Sequence, residues 1–206
     1  MRSAALLLVM AACGSPPAKP VPVAPVPPPA AIGPRDLATP AAFDSIADRA
    51  ARSRALFGEV AKVLTHPRCV NCHTPDDSPR QGDRHEIHDP PVARGAGDRG
   101  VAGLQCTGCH QDRNAELARV PGAPGWHLAP LSMVWLDKSP AEICAQISDG
   151  ERNGHRTLAQ IGDHLAHDQL VAWGWAPGAD RAPAPGSQAQ LAALYQAWVA
   201  TGAVCP

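Results

Sequence analysis

Apolar residues recur at helical spacing in four stretches of this chain. The longest stretch runs from Phe43 to Leu64, and the last runs from Ser187 to Gly202 with its large side chains on one face. Between them, Ser139-Pro140-Ala141-Glu142 has the features of a helix start, and three leucines and one isoleucine mark a further helix over 158–170. No segment shows the alternation of β-branched and polar residues that is typical of a strand. The pattern therefore predicts an all-α fold.

Three segments outside the predicted helices lack this periodicity. Residues 74–105 and 119–138 are rich in Pro, Gly, Asp and Arg, and they are predicted to be long loops. Loops of this length are uncommon in a compact domain unless they are functional or wrap a ligand. The segment from Ser15 to about Pro40 is dominated by Pro, Ala and Val, and it is predicted to be an extended spacer. The helices and loops therefore belong to one domain, over residues 41–206.

The first residues have the features of a bacterial secretory signal. Met1-Arg2 precedes an apolar run that ends at Ala12 and is too short to span a bilayer. Cys13 follows small residues at the end of this run, as the lipidated cysteine of a lipoprotein does; an ordinary cleaved signal peptide is the alternative. The sequence thus predicts a signal peptide over 1–12, a lipidated cysteine and linker over 13–40, and a domain anchored on the periplasmic side of a membrane. Gly14 after the cysteine favours the outer membrane.

The composition bounds the partners and the core. The 206 residues carry 18 Lys and Arg against 19 Asp and Glu, so no nucleic-acid partner is expected. Large apolar side chains are few, because the chain has five Trp, two Phe and one Tyr, and much of its apolar content is Ala. A bulky apolar cofactor would complete such a thin core.

The pattern Cys-x-x-Cys-His occurs twice, as Cys69-Val70-Asn71-Cys72-His73 and as Cys106-Thr107-Gly108-Cys109-His110. In this pattern both thiols form thioethers to one haem, and the histidine that follows binds the iron as its proximal ligand. The chain is therefore predicted to hold two covalently bound haem c groups, each through two cysteines and one histidine: Cys69, Cys72 and His73, and Cys106, Cys109 and His110. We expect a small helical, cytochrome c-like domain with long haem-wrapping loops.

The second axial ligand of each iron is less constrained by the sequence. Met133 lies in a proline-containing loop sixty residues after His73, as the distal methionine does in small cytochromes c. His88 lies upstream of the second motif beside two prolines, and His127 follows a tryptophan. These three residues are candidate metal ligands, and core packing of the methionine or solvation of the histidines is the alternative. Spacing does not assign any of them to one haem.

Several arginines surround the two motifs. A planar guanidinium matches a carboxylate, so these arginines are candidates for pairing with the haem propionates, and an ordinary solvated face is the alternative. The arginines concerned are Arg80, Arg84, Arg94, Arg99 and Arg113.

Cys144 and Cys205 remain once the haem motifs and Cys13 are accounted for. In an oxidising compartment, two such cysteines on predicted C-terminal helices favour a disulfide, and two unpaired buried thiols are the alternative. The bridge would stabilise the fold by roughly 3–5 kcal/mol in the chain-entropy model.

The domain also resembles a known group of proteins. Beyond the two motifs, the resemblance is carried by Pro121-Gly122-Ala123-Pro124-Gly125-Trp126-His127-Leu128-Ala129-Pro130, by Met133-Val134-Trp135, by Val171-Ala172-Trp173-Gly174-Trp175-Ala176-Pro177-Gly178 and by Gly202-Ala203-Val204-Cys205-Pro206. With the motifs, these residues resemble bacterial periplasmic proteins described as isoquinoline 1-oxidoreductase subunits or cytochrome c family proteins. The resemblance implies electron-transfer service to a redox enzyme, with a molybdenum hydroxylase as one candidate. The chain has no molybdopterin or flavin signature of its own.

Together, these features favour an electron-transfer protein with a redox partner protein rather than an enzyme in its own right. Two six-coordinate irons would need no catalytic side chain. A dihaem peroxidase-like enzyme or a sensor would instead need an iron with an open position. A small exported zinc-binding protein is a further alternative, because two Cys-x-x-Cys pairs can form a tetrahedral four-thiolate site.

Overall fold

The computed structural model describes residues 36–206, and the fold is given for these residues. The α-helices are α1 (Arg49–Leu64), α2 (Pro67–Val70), α3 (Cys106–Cys109), α4 (Pro140–Ser148), α5 (Leu158–His167), α6 (Gln169–Ala172) and α7 (Gln188–Ala200). Short 3-10 turns lie at Pro40–Phe43, Ala96–Asp98, Glu116–Ala118 and Trp173–Trp175. The strands are β1 (Arg80–Gln81), β2 (Glu86–Ile87), β3 (Gly100–Val101) and β4 (Leu104–Gln105).

The all-α prediction is wrong, because the segment predicted as a long loop over 74–105 contains two antiparallel hairpins. β1 pairs with β2, with Arg80 opposite Ile87, and β3 pairs with β4, with Val101 opposite Leu104. Each strand has only two residues, which is too short for an alternating pattern to show in the sequence. The fold is therefore mixed, with helices and two small antiparallel sheets.

The core lies where α1, α4, α5 and α7 pack together. Phe57 of α1 contacts Trp198 of α7, with 5.0 Å between the ring centres, and Tyr195 contacts the same indole at 5.2 Å. The Tyr195 hydroxyl donates to the carbonyl of Leu158 at 3.1 Å, so the polar end of this buried ring is also satisfied. The tightest packing of the domain is thus in its helical part.

Two of the predicted helices have different limits in the structure. α1 begins at Arg49 rather than near Phe43, because the Asp48 carboxylate caps it by accepting from the Ala51 N–H at 2.6 Å. The stretch predicted as one helix over 158–170 is divided at Asp168, which ends α5 and caps α6. The capping box predicted at the start of α4, between Ser139 and Glu142, is confirmed.

The predicted disulfide is confirmed. Cys144 of α4 is bonded to Cys205, with the two Cα atoms 5.6 Å apart. The neighbouring Val204 N–H donates to the Ser53 hydroxyl of α1 at 2.9 Å. The C-terminal segment is therefore attached to α1 and α4.

The packed part of the chain begins before residue 41. Leu37 is buried in the core, and the Ala38 N–H donates to the Glu59 carboxylate at 2.8 Å. The predicted linker over 13–40 therefore ends at or before Leu37. The predicted signal peptide, Cys13 and the linker up to residue 35 lie outside the described residues. Among residues 36–206, no helix has the length and apolar character needed to cross a membrane.

Candidate haem sites

The first Cys-x-x-Cys-His motif lies on α2 and the turn after it, against the helical core. His66 caps this short helix, with its Nδ1 atom accepting from the Arg68 N–H at 3.2 Å. Val70 is buried in the core between the two motif cysteines. Cys69 and Cys72 are free thiols, and burial raises their pKa values to about 12 and about 11. Two thiols are thus held close together beside an apolar surface.

His73 is held by a hydrogen bond and by an aromatic stack. Its Nδ1 atom donates to the carbonyl of Met133 at 2.8 Å, and its ring is parallel to the Trp135 indole with 3.4 Å between ring centres. Burial lowers the pKa of His73 to about 3, so the imidazole is neutral. Within residues 36–206 the structure shows no hydrogen bond to the other ring nitrogen, Nε2. Metal-binding histidines are generally fixed in this way, with one N–H on a carbonyl and the other nitrogen free.

The second motif forms the helical turn α3, which directly follows β4. Cys106 is half-buried and Cys109 is exposed, and both are free thiols. His110 is buried, its Nδ1 atom donates to the carbonyl of Pro121 at 2.8 Å, and its ring is parallel to the Trp126 indole at 4.5 Å. Burial lowers the pKa of this ring as well. The second motif therefore repeats the geometry of the first.

The loop that presents the Pro121 carbonyl depends on two residues that sequence reasoning missed. The Gly122 N–H donates to the Asn114 side-chain oxygen at 3.0 Å, and a Cβ atom on Gly122 would overlap the carbonyl oxygen of Arg113. The same Asn114 oxygen accepts from the Trp173 indole N–H at 3.0 Å. Only glycine fits this close backbone contact. The glycine in this Pro-Gly pair was readable as a turn signal, whereas the role of Asn114 has no spacing signal.

Met133 lies beside the first motif. Its carbonyl accepts from Nδ1 of His73, and its side chain is buried in the helical core. The contacts of Met133 are those of a residue that positions His73, and its predicted role as an axial ligand stays a prediction.

His88 is next to the second motif. The ring centres of His88 and His110 are 5.8 Å apart and the ring planes are inclined by 68°. The Nδ1 atom of His88 donates to the carbonyl of Pro90 at 2.8 Å. Of the candidate axial ligands, His88 is thus the one in direct ring contact with a proximal histidine.

His127 lies on the side of the first motif, together with His164 of α5. The Nδ1 atom of His127 donates to the carbonyl of Gly125 at 2.6 Å. His164 of α5 pairs through Nδ1 with the Asp168 carboxylate at 3.0 Å. Both rings are close enough to His73 to add to the lowering of its pKa, which burial dominates. The fold therefore gathers two histidines around the first proximal one.

A buried arginine joins the loops around the first motif. Arg94 is 6% exposed, so it does not belong to a solvated face, and its guanidinium donates to Asp98 at 2.7 Å and to the carbonyl of Asp76 at 3.2 Å. It also donates to the carbonyl of Ala129.

The two motifs are neighbours. Cys72 of the first motif lies near Cys106 of the second. Burial is the main cause of the raised pKa of Cys72, and the Cys106 thiolate raises it further.

The residues present fit two covalently attached haems. Within residues 36–206, four free thiols stand beside two neutral imidazoles, and three buried N–H groups near the motifs lack an acceptor, namely Trp135 Nε1, Arg68 Nε and Arg94 Nε. Unsatisfied buried donors are rare, and a group that carries carboxylates would satisfy them. By contrast, in the described part of the chain no three His, Cys, Asp or Glu side chains are grouped to hold a metal ion by themselves.

Comparisons with protein-family models, with curated proteins and with solved structures found no match for this chain. The resemblance to periplasmic dihaem proteins therefore stays a prediction. What the two motifs can do chemically follows from their own geometry.

Proposed function

We propose that this domain is a c-type cytochrome that holds two covalently bound haems and transfers electrons to or from a partner oxidoreductase. The observation that supports this best is the repeated geometry of the motifs. In each, the histidine after Cys-x-x-Cys donates from Nδ1 to a backbone carbonyl at 2.8 Å and lies parallel to a tryptophan. Bound haem would supply an iron that cycles between the ferric and ferrous states.

The chain's own residues attach and orient the cofactor. Cys69 and Cys72 would hold the first haem and Cys106 and Cys109 the second, through thioethers. The carbonyls that accept from Nδ1 fix the tautomer of each imidazole, so Nε2 is left as the neutral electron-pair donor. The parallel indoles restrict rotation of the rings. Electron transfer requires no acid–base chemistry from these side chains.

The proposal includes a redox partner protein. Neighbouring motifs would allow electrons to pass between two centres within one domain. The resemblance noted from the sequence implies a redox enzyme as the partner, with a molybdenum hydroxylase as one candidate. A lipid on Cys13 would keep the domain close to such a partner on the periplasmic side of the outer membrane.

The first test is the number of covalent haems per chain. The full-length protein is expressed with cytochrome c maturation machinery, and haem is counted by the pyridine haemochrome spectrum against protein concentration. We expect two haems per chain, and one in each of the variants Cys69→Ser/Cys72→Ser and Cys106→Ser/Cys109→Ser. The control His167→Ala, which replaces an exposed side chain outside both motifs, should keep both. Absence of covalent haem from the unmutated protein, with zinc bound instead, would contradict the proposal.

The second test separates a carrier from a peroxidase-like enzyme. In the ferric protein, two six-coordinate low-spin irons that do not react with peroxide are expected for a carrier. A high-spin iron that binds cyanide or peroxide rapidly would contradict it and favour the enzyme. Electron paramagnetic resonance and optical spectra before and after peroxide addition give the answer.

A further inference from the structure

We propose that His88 is the second axial ligand of the haem attached to Cys106 and Cys109, so that this iron is bound by two histidines, His88 and His110. The inference rests on the proposed function and deepens it. It assigns to one iron a residue that sequence spacing leaves without a haem.

The separation of the two rings is the first observation. Two imidazoles on opposite sides of one metal, each with a metal–nitrogen bond of about 2 Å, have ring centres roughly 6 Å apart. The ring centres of His88 and His110 are 5.8 Å apart. The rings are therefore spaced as two axial ligands of one iron would be.

The hydrogen bonds of the two rings are the second observation. Nδ1 of His110 donates to the carbonyl of Pro121, and Nδ1 of His88 donates to the carbonyl of Pro90, both at 2.8 Å. The structure shows no hydrogen bond to Nε2 of either ring within residues 36–206. Both histidines thus have the tautomer and the free nitrogen that an iron ligand needs.

The hairpin that carries His88 is anchored, which fixes the position of the ring. His88 follows β2 directly, and its N–H donates to the carbonyl of Pro79 at 3.1 Å. The β1–β2 hairpin is attached in turn to the first motif through Asn71. The side chain of Asn71 donates to the carbonyl of Gly82 at 2.8 Å, and the backbone carbonyl of Asn71 accepts from the Arg80 N–H at 3.0 Å. A ligand on this hairpin is therefore held by backbone contacts.

Apolar residues next to the ligating segments are exposed. Ile87, which precedes His88, is 62% exposed, and Leu104, two residues before Cys106, is 54% exposed. Removing a large apolar side chain from water lowers the free energy, and a porphyrin held between the two segments would cover these side chains. This exposure favours a bulky apolar group over a simple contact between two histidines.

The test replaces His88 with alanine in the holoprotein. We expect His88→Ala to keep two covalent haems by the pyridine haemochrome, while one of its two ferric irons becomes high-spin by electron paramagnetic resonance. Added imidazole should return that iron to the low-spin state. The matched control is His167→Ala, because His167 is 75% exposed and pairs with Asp163 on α5; it should leave both irons unchanged.

Other outcomes would overturn the assignment. Two low-spin irons in His88→Ala, with spectra like those of the unmutated protein, would show that His88 binds neither iron. Should that variant fail to fold, near-infrared magnetic circular dichroism of the unmutated protein decides, because at least one bis-histidine iron is expected and its absence would refute the proposal. An unmutated protein without covalent haem would instead contradict the proposed function itself.

Discussion

The two Cys-x-x-Cys-His motifs share the geometry of their histidines but differ in what surrounds them. The first motif is built on a capped helix that packs on the core, and the ring of its histidine contacts a tryptophan that is 6% exposed. The second lies between a two-stranded hairpin and a loop, and one of its cysteines, Cys109, is exposed. One arrangement is thus supported by helix packing and the other by backbone contacts between loops.

This difference shows that the orientation of a ligand and the protection of a site from solvent are separate properties. A carbonyl and an indole suffice to orient either histidine. Protection depends on the surroundings, and burial and solvent exposure are among the factors that set the reduction potential of a haem. We therefore expect two unequal centres, with the second more accessible to a partner protein.

The disulfide offers the largest expected change. It joins helical elements around the first motif and closes a loop with a sequence separation of 61 residues. Replacing both Cys144 and Cys205 with alanine should lower the free energy of unfolding by about 4 kcal/mol in the chain-entropy model. Urea titration followed by far-ultraviolet circular dichroism measures this. A loss of stability confined to the second motif, with the unfolding transition of the helices unchanged, would contradict the expectation that the disulfide supports the first motif.

The two stacked tryptophans test the comparison directly. Trp135→Ala opens a cavity in the core and should cost roughly 3–5 kcal/mol of unfolding free energy. Trp126 is only half-buried, so Trp126→Ala should cost roughly 1–2 kcal/mol. Each variant serves as the control for the other in the same urea titration. Equal losses would mean that the two motifs are equally embedded.

Two glycines test the loop support of the second motif. Gly122→Ala forces the backbone at Arg113 to move, with a cost of roughly 1–3 kcal/mol and a displaced Pro121 carbonyl. The matched control is Gly108→Ala, because a Cβ atom at Gly108 meets no atom within 4 Å and alanine favours the helical turn α3. Thermal unfolding should show a loss of stability in Gly122→Ala and none in Gly108→Ala, and the optical spectrum of the proposed second haem should change only in Gly122→Ala.

The last expected effect is a dependence of stability on pH at the first motif. Burial lowers the pKa of His66 from 6.5 to about 4 in the folded state. The unfolded chain therefore binds a proton before the folded one does, and stability should fall by roughly 2–3 kcal/mol as the pH decreases from 6.5 to 4. His66→Asn keeps a capping side chain without this titration.

The measurement for His66 is the difference in unfolding free energy between the unmutated protein and His66→Asn across that range. A difference that does not change with pH would contradict the prediction. At the second motif the equivalent position is Gln105, whose side chain makes no cap, so no matching contribution is expected there.

The sequence predicted the parts of this fold that repeat or that use a local signal. The helix start at Ser139, the buried face of α7 and the pairing of Cys144 with Cys205 were all readable, because each depends on local spacing or on counting cysteines. The hairpins were missed because two-residue strands carry no period. The break at Asp168 was missed because the apolar pattern continues across it.

Long-range contacts explain which features of the site could not be predicted from the sequence. The sequence identified the residues of both motifs, but which carbonyl faces each histidine depends on how loops distant in the chain pack. The contact between His73 and Met133 spans 60 residues, and spacing did not indicate that the Met133 carbonyl accepts a hydrogen bond from the imidazole. The same holds for His88, whose neighbour is set by the hairpin rather than by its distance from a motif.

The carbonyl of Met133 has a consequence for the reduction potential of the proposed first haem. The strength of the hydrogen bond that it accepts sets how much electron density the imidazole can offer to a bound iron. The same loop carries Leu131, two residues before Met133 and 48% exposed, so the carbonyl that orients this imidazole lies close in the chain to an exposed side chain. In the proposed dihaem protein, the reduction potential of the first haem would therefore depend on the position of this loop.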